Sequence, residues 1–403
     1  MAKKKAATGT RKKAASAKTP GPAEGQKQAP SAEERYAQEL AFLAAYDDSP
    51  RPAGWKLSPQ SVVQFVTGSD GETLKLPKSA KVDSSIPKSL VITEKFVGER
   101  ALIERCVVTL AGERGLLLVG EPGTAKSMIS ELLAAAISGT SSLTIQGTAG
   151  TNEDHFRYSW NYSLLLAKGP SEEALVPSPV MTGMKNGQLV RVEEVTRCLP
   201  EVQDALISLL SERRLMIPEL DGEAGSVFGA PGFNIIATAN LRDKGVSEMS
   251  AALKRRFNFE TVGPIAEHER EVALIRSQAT RLLERGGVEF NLDDGLVDVL
   301  VTAFRDLREG RTVEGWSVEK PGTVMSTAEA VAIATSIGRQ TAYFASQRDP
   351  LSLLPGHLLG VVLKDDANDR GRLLAYWDSV VKRRADDGSR MWKRMLELRG
   401  VLE

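Results

Sequence analysis

The sequence is poor in the residues that build disulfide frameworks and metal centres. Only two cysteines, Cys106 and Cys198, and three histidines, His155, His268 and His357, occur among its 403 residues. Neither cysteine lies in a CxxC pair or a Cys/His cluster, and the histidines are too far apart for local metal-ligand spacing. These absences exclude a disulfide scaffold and a zinc motif, and we expect both cysteines to be reduced packing residues.

Long apolar runs and net charge are also missing. No run of eighteen apolar residues occurs, and the basic start lacks the apolar stretch and small-residue cleavage site of a secretory signal. Lys and Arg number 52, Asp and Glu also number 52, and 42% of the residues are hydrophobic. The chain is long enough to bury two or three cores, so we predict a cytoplasmic globular protein with no membrane partner.

The balanced charge hides a basic segment at the start of the chain. Residues 1–30 hold eight Lys or Arg and one acid, Glu24, among mostly small residues and proline. Such a segment has little apolar surface to offset the entropy of ordering, so we predict a disordered basic tail. The alternative is weak electrostatic contact with nucleic acid or an acidic partner. Because no aromatic residues interleave with the lysines, we expect no nucleic-acid partner.

Three further segments follow the tail. Residues 31–86 alternate a helical pattern with Pro- and Gly-broken stretches, which predicts a small N-terminal adapter. Residues 87–264 alternate apolar runs of strand length with longer helical patterns, as in an α/β domain whose parallel sheet is covered by helices. Residues 265–403 carry only helical patterns, so we predict an all-helical domain there.

A phosphate-binding motif follows the first of these strand-like runs, Gly115–Val119. The motif consists of Gly120, Glu121, Pro122, Gly123, Thr124, Ala125, Lys126 and Ser127, and an amphipathic helical pattern with Gly139 at its end comes next. In a strand–loop–helix unit of this kind, backbone N–H groups bind phosphate oxygens, the lysine neutralises the β- and γ-phosphates, and the hydroxyl binds Mg²⁺. We therefore predict nucleotide binding rather than a glycine turn that only links a strand to a helix.

One position departs from the general phosphate-loop pattern. Ala125 stands where G-x-x-x-x-G-K-[ST] has its second glycine. Alanine is possible there if the backbone is already helical.

Two adjacent carboxylates, Glu193 and Glu194, end a third strand-like run, Gln188–Val192. Because side chains alternate along a strand, one carboxylate can face the Mg²⁺ beside Ser127 while the next orients and deprotonates an attacking water. We assign Glu193 to the metal and Glu194 to the water. The alternative is a pair of solvated acids that open a turn.

Asn240 follows the fourth strand-like run, Phe233–Thr238. If the sheet is parallel, Asn240 lies beside the end of the third strand, where its amide can hold the attacking water. The alternative is a turn-forming asparagine.

Arg255 and Arg256 form a basic cluster at a helix end, ahead of a last strand at Asn258–Val262. The order of the elements puts them away from their own phosphate loop, so a guanidinium here is suited to the γ-phosphate of a neighbouring subunit. The alternative is a favourable interaction with the helix dipole alone.

Taken together, these motifs resemble those of MoxR-type AAA+ ATPases and, among them, the YehL-like branch. The resemblance covers residues 96–403; its marks are Val97-Gly98-Glu99, the phosphate loop, whose alanine is normal in that family, Ser178-Pro179-Val180 and Ala239-Asn240. It implies a five-stranded parallel sheet with flanking helices, followed by an all-helical lid. It also implies an insertion at about residues 147–186 and a hairpin at about residues 215–232.

The resemblance further assigns roles to the residues singled out above. Glu193 and Glu194 take the Walker B roles, and Asn240 takes that of sensor 1. Arg256 is the first candidate for the arginine finger, and Arg255 is the second. It implies ATP and Mg²⁺ as cofactors and a homo-oligomeric ring, usually a hexamer. Members commonly act as remodelling chaperones for client proteins that bear von Willebrand factor A domains.

The chain departs from the family pattern at two positions. Glu193 stands where the Walker B motif usually has an aspartate. Ser326-Thr327-Ala328 carries alanine where the lid arginine called sensor 2 is expected. Arg339 is either a substitute for that arginine or a solvated helix residue. Our leading hypothesis is a ring-forming Mg²⁺-ATPase that remodels a partner protein; the alternatives are a nucleotide-gated assembly scaffold with little turnover and a DNA-dependent motor.

Overall fold

The centre of the molecule is a five-stranded parallel sheet. The computed structural model describes residues 30–78, 83–240, 246–344, 349–364 and 366–403. The strands are β1 (Gly115–Val119), β2 (Thr144–Gln146), β3 (Leu189–Glu193), β4 (Asn234–Ala239) and β5 (Phe257–Thr261). Their order in the sheet is β5-β1-β4-β3-β2, and all neighbouring strands are parallel. This confirms the predicted sheet and brings the carboxyl ends of β1, β3 and β4 to one edge.

Every residue of β1 and β4 is buried, as expected for strands that have helices on both faces. The helices of this domain are α4 (Arg100–Ala111), α5 (Lys126–Ser138), α6 (Tyr162–Lys168), α7 (Pro179–Asn186), α8 (Pro200–Ser211) and α9 (Ala251–Lys254). Helix α5 begins directly after the phosphate loop and ends at Gly139, whose left-handed φ of 73° forms the C-cap.

Two antiparallel hairpins stand outside the sheet. Tyr158–Trp160 pairs with Leu175–Pro177, and Arg214–Met216 pairs with Ser226–Phe228. The first lies in the insertion and the second at the hairpin that the resemblance implies.

The N-terminal segment packs against the sheet domain. Its helices are α1 (Ala32–Arg35), α2 (Ala37–Tyr46) and α3 (Pro59–Thr67), and Thr73–Lys75 pairs with Ser89–Val91. Buried side chains of α2 and α3 belong to the same hydrophobic cluster as those of α4, α5 and β1. The boundary expected at residue 86 therefore does not separate two cores. The predicted tail lies outside the described residues, apart from Pro30.

The last part of the chain is helical, with a hydrophobic cluster of its own. Its α-helices are α10 (His268–Arg285), α11 (Asp294–Glu309), α12 (Thr327–Tyr343), α13 (Leu354–Val362), α14 (Asp369–Tyr376), α15 (Lys382–Asp386) and α16 (Arg390–Glu397). This confirms the predicted helical domain, which we call the lid. Within the described ranges, no helix combines the length and the apolar character needed to cross a membrane.

Candidate functional site

A cavity of about 470 Å³ lies where the carboxyl edge of the sheet meets the lid. Residues 122–128 of the phosphate loop and α5 form one side of it, together with Glu194. The rest of its wall is mostly apolar and comes from the segment before α4 and from the lid: Phe96, Val97, Ile265, Leu274, Ala328 and Val331. The cavity thus combines polar groups suited to phosphates with apolar surface suited to a base.

Two glycines of the phosphate loop are required by close contacts. A methyl group on Gly120 would lie 2.3 Å from the carbonyl oxygen of Val262. Gly123 has a φ of +76°, and a methyl group there would lie 2.6 Å from the side chain of Ser326, just before α12. The loop is therefore packed directly against the N-terminal end of a lid helix.

The condition stated for Ala125, an already helical backbone, is not met. Its φ is 68° and its ψ is 18°, so this alanine is left-handed rather than helical. A left-handed alanine costs about 1–2 kcal/mol, because its Cβ crowds the following carbonyl oxygen. The backbone here thus has a left-handed conformation, which glycine, the residue of the general pattern, adopts without this cost. Helix α5 begins only at Lys126.

The side chain of Lys126 lies within its own loop. It is buried, and its Nζ donates hydrogen bonds to the carbonyl oxygens of Gly120 at 2.9 Å and Glu121 at 2.8 Å. Burial lowers the pKa of Lys126, and the negative charges of Glu194, Glu193 and Glu121 oppose that change. The loop's own carbonyl groups therefore hold the ammonium inside the loop.

Ser127 and Glu193 converge as predicted. Ser127 Oγ donates to Glu193 Oε2 at 2.7 Å, and Thr238 Oγ1 donates to the same oxygen at 2.8 Å. The other oxygen, Oε1, lies 2.6 Å from Ser130 Oγ and 2.8 Å from Arg191 Nη2. Burial acts to raise the pKa of Glu193, but the hydroxyl hydrogen bonds and the charge of Arg191 outweigh it and lower that pKa. Glu193 is therefore a carboxylate at neutral pH.

Glu194 reaches the cavity by a different route from the one predicted. Strand β3 ends at Glu193, and Glu194 is left-handed, with a φ of 55°, so the two carboxylates do not simply alternate along a strand. The backbone N–H of Glu194 donates to Thr238 Oγ1 at 3.0 Å, which fixes the turn. The Glu194 side chain pairs with Arg197 at 3.3 Å and remains partly exposed.

Asn240 is buried one residue beyond the end of β4. The register pairs Ala239 with Val119 and Ala237 with Val192, so Asn240 lies between the ends of β1 and β3. This is the placement predicted from the parallel sheet. Residues 241–245, on which the turn-forming alternative depends, lie outside the described residues.

Arg255 and Arg256 lie at the opposite edge of the sheet from the phosphate loop. Gly115, the first residue of β1, donates its N–H to the Arg256 carbonyl at 2.9 Å, whereas the loop follows the last residue of β1. The length of this strand, about 16 Å, therefore separates these arginines from their own loop. Arg256 donates to Ser211 Oγ and to the Ala252 carbonyl, both at 2.7 Å, and Arg255 is exposed.

Arg339 does not replace the lid arginine. It lies eleven residues after Ala328 in α12, which places it about 16 Å along the helix axis. Ala328 lines the cavity, whereas the guanidinium of Arg339 lies beside Gly286. The sequence interpretation of Arg339 as an exposed helix residue is the correct one.

Our sequence analysis missed Arg191, which contacts the metal-assigned carboxylate. It stands in the middle of β3 among apolar neighbours and is two residues before Glu193, on the same face of the strand. A charged residue inside a strand that is otherwise apolar was the signal for it.

The residues present fit a magnesium-bound nucleotide. Mg²⁺ prefers hard oxygen ligands, and Ser127 Oγ and Glu193 Oε2 lie together at the end of the phosphate loop. The Lys126 ammonium lies in the same loop and supplies the positive charge that phosphate oxygens require.

Two family models match parts of the chain. Residues 115–257 match the AAA domain of the dynein-related subfamily, and residues 269–403 match the C-terminal domain of YehL-like AAA+ ATPases. The chain is 46% identical to the uncharacterized protein YehL of Escherichia coli K12 over 354 residues, which cover 88% of this chain and 92% of that protein.

Other matches are more distant. An uncharacterized protein of Staphylococcus haemolyticus is 29% identical over 36% of this chain and 53% of its own length. Among solved structures, NtrX from Brucella abortus in complex with ATP is 12% identical with a TM-score of 0.42, over 62% of this chain and 52% of that chain. By its identity with YehL over nearly the whole of both proteins, the chain belongs to the YehL-like AAA+ ATPase family.

Proposed function

We propose that the chain is a Mg²⁺-dependent ATP hydrolase. The observation that carries this proposal is the 2.7 Å contact between Ser127 Oγ and Glu193 Oε2, with Lys126 at the same end of the cavity. A hydroxyl, a carboxylate and an ammonium at a glycine-rich loop are the groups that hold a magnesium triphosphate. Membership of an AAA+ ATPase family supports the same conclusion.

Each side chain has a role in this proposal. Lys126 and the loop N–H groups hold the phosphates, and Ser127 and Glu193 hold Mg²⁺, which when bound neutralises charge on the phosphate oxygens. Glu194 accepts a proton from the attacking water, and the Asn240 amide orients that water. Catalysis of this kind consists mainly of positioning and charge stabilisation.

We further propose that subunits assemble into a ring, in which an arginine of one subunit completes the nucleotide site of the next. Arg255 and Arg256 lie a full strand length from their own loop, so a guanidinium from this position reaches a γ-phosphate only in a neighbouring subunit. The close packing of Gly123 against Ser326 links the phosphate loop to the lid, which is the element that would transmit nucleotide state to a client protein. By family resemblance, that client is a protein with a von Willebrand factor A domain.

The catalytic assignment is tested with Glu194→Gln. We expect ATP affinity within about twofold of wild type and turnover lowered about 100-fold, because the variant lacks the general base. Glu201→Gln is the matched control, since Glu201 is an exposed acid at the start of α8 and should leave both values unchanged. Unchanged turnover in Glu194→Gln would refute the assignment. If wild type releases no more phosphate than Glu194→Gln does, the result would favour the nucleotide-gated scaffold.

The ring is tested with Arg256→Ala. We expect this variant alone to bind ATP with little turnover, since its effect falls on the neighbouring site. Mixing it with Lys126→Ala subunits should restore hydrolysis in part, because some sites then combine an intact loop with an intact arginine. Particle size measured with ATP and with ADP reports assembly, and a monomer under both conditions would contradict the ring.

A further inference from the structure

Arg191 is a nearly buried cation in the centre of β3. Its side chain is 12% exposed, and that of Glu193 is 6% exposed. Because side chains alternate along a strand, Arg191 and Glu193 project from the same face of β3, the face that packs on α5. Val190 and Val192 project from the other face into an apolar cluster.

The guanidinium of Arg191 contacts both residues assigned to the metal, Glu193 through its carboxylate and Ser127 through its backbone carbonyl. Its Nη2 donates to Glu193 Oε1 at 2.8 Å and to the carbonyl oxygen of Ser127 at 3.1 Å. Its Nε donates to Ser130 Oγ at 3.0 Å, and Ser130 Oγ in turn lies 2.6 Å from Glu193 Oε1. Arg191 thus fixes one edge of the carboxylate and the first turn of α5 together.

The two carboxylate oxygens of Glu193 have different hydrogen-bond partners. Oε1 accepts hydrogen bonds from Arg191 and Ser130, whereas Oε2 accepts from the hydroxyls of Ser127 and Thr238. A glutamate has one more rotatable bond than an aspartate, so its carboxylate needs an additional constraint to be held in one orientation. The planar fork of an arginine supplies such a constraint, which a lysine does not.

We propose that Arg191 is a positioning residue for the magnesium–nucleotide site. It acts through Glu193 and Ser127, holding Oε1 so that Oε2 and the Ser127 hydroxyl are presented to one cation. This inference rests on the proposed function, because it requires that Mg²⁺ strengthen ATP binding. A purely structural tie is the competing explanation, since Nη1 also contacts the Ser141 carbonyl at 3.2 Å and Thr144 Oγ1 at 3.3 Å.

The test measures ATP affinity by calorimetry, with Mg²⁺ and with a chelator, for wild type, Arg191→Met and Arg191→Lys. We expect the Mg²⁺-free affinity to be unchanged and the gain from Mg²⁺ to fall about tenfold in Arg191→Met, as for other residues that orient metal ligands. Arg191→Lys should recover part of the gain, because it keeps the charge without the fork. Arg214→Met is the matched control, since Arg214 also lies in a strand of this domain and binds Ser226, away from the cavity.

The Mg²⁺ dependence of the loss separates positioning from structure, because a purely structural tie would weaken ATP binding with and without Mg²⁺ alike. The inference alone is refuted if Arg191→Met keeps the wild-type gain from Mg²⁺, or if it weakens ATP binding equally with and without Mg²⁺. If wild type binds ATP with the same affinity in the presence of Mg²⁺ and of a chelator, the proposed function is refuted, and this inference with it.

Discussion

Replacing Ala125 by glycine should stabilise the protein, although glycine usually weakens a helix. Ala125 has a φ of 68°, and a left-handed alanine costs about 1–2 kcal/mol. Glycine removes that cost but loses more conformational freedom on folding, which offsets about 0.5–1 kcal/mol. The free energy of unfolding should therefore rise by about 0.5–1 kcal/mol.

The matched control is Ala332→Gly. Ala332 is an exposed alanine inside α12, in right-handed backbone, so the same change there should lower the free energy of unfolding by about 1 kcal/mol. Urea unfolding of both variants and of wild type measures the two effects, which should have opposite signs. If Ala125→Gly destabilises the protein as much as Ala332→Gly does, the left-handed conformation and the reasoning from it are refuted.

Two further predictions concern the N-terminal segment. Hydrogen bonds from Ser49, Ser58 and Ser61 outweigh burial and lower the pKa of Asp47 from 3.8 to about 2. Its stabilising effect is therefore fully present above about pH 4 and is lost as the pH falls through about 2. Asp47→Asn should lower the free energy of unfolding by about 1 kcal/mol at pH 7, after discounting for partial exposure, and by only a small part of that at pH 2. An equal cost at both pH values in urea unfolding would contradict this. The Lys95 ammonium donates to the carbonyls of Phe65 at 2.9 Å and Thr93 at 3.0 Å, and it pairs with Glu39. The next residue, Phe96, lines the cavity. Lys95→Met should lower the free energy of unfolding by about 3 kcal/mol and weaken ATP binding, and calorimetry that shows wild-type affinity would disprove the link to the cavity.

The sheet and the principal site residues were predictable because burial on both faces leaves a clear pattern. Gly115–Val119 is a continuous apolar run, and the structure has a strand with those bounds. The parallel arrangement then places Asn240 and Glu193 at the same edge of the sheet. These predictions need only the pattern of apolar residues and the order of the strands and helices along the chain.

The errors arose where tertiary contacts decide the local conformation. Ala125 is left-handed because the loop must turn between β1 and α5, and nothing in the identity of an alanine indicates this. Glu194 leaves the strand because Thr238, from β4, accepts its N–H. Arg191 was visible as an unusual residue in a strand, but its partners lie up to 64 positions away in the sequence.

The central claim is that Lys126, Ser127 and Glu193 together hold one magnesium triphosphate. Its most direct test is calorimetric titration of ATP, with Mg²⁺ and with a chelator, into wild type, Lys126→Ala and Ser127→Ala. We predict that Mg²⁺ tightens ATP binding in wild type, that Ser127→Ala loses this gain, and that Lys126→Ala binds ATP weakly under both conditions. Wild-type affinity in Lys126→Ala, or a full Mg²⁺ gain in Ser127→Ala, would contradict the claim.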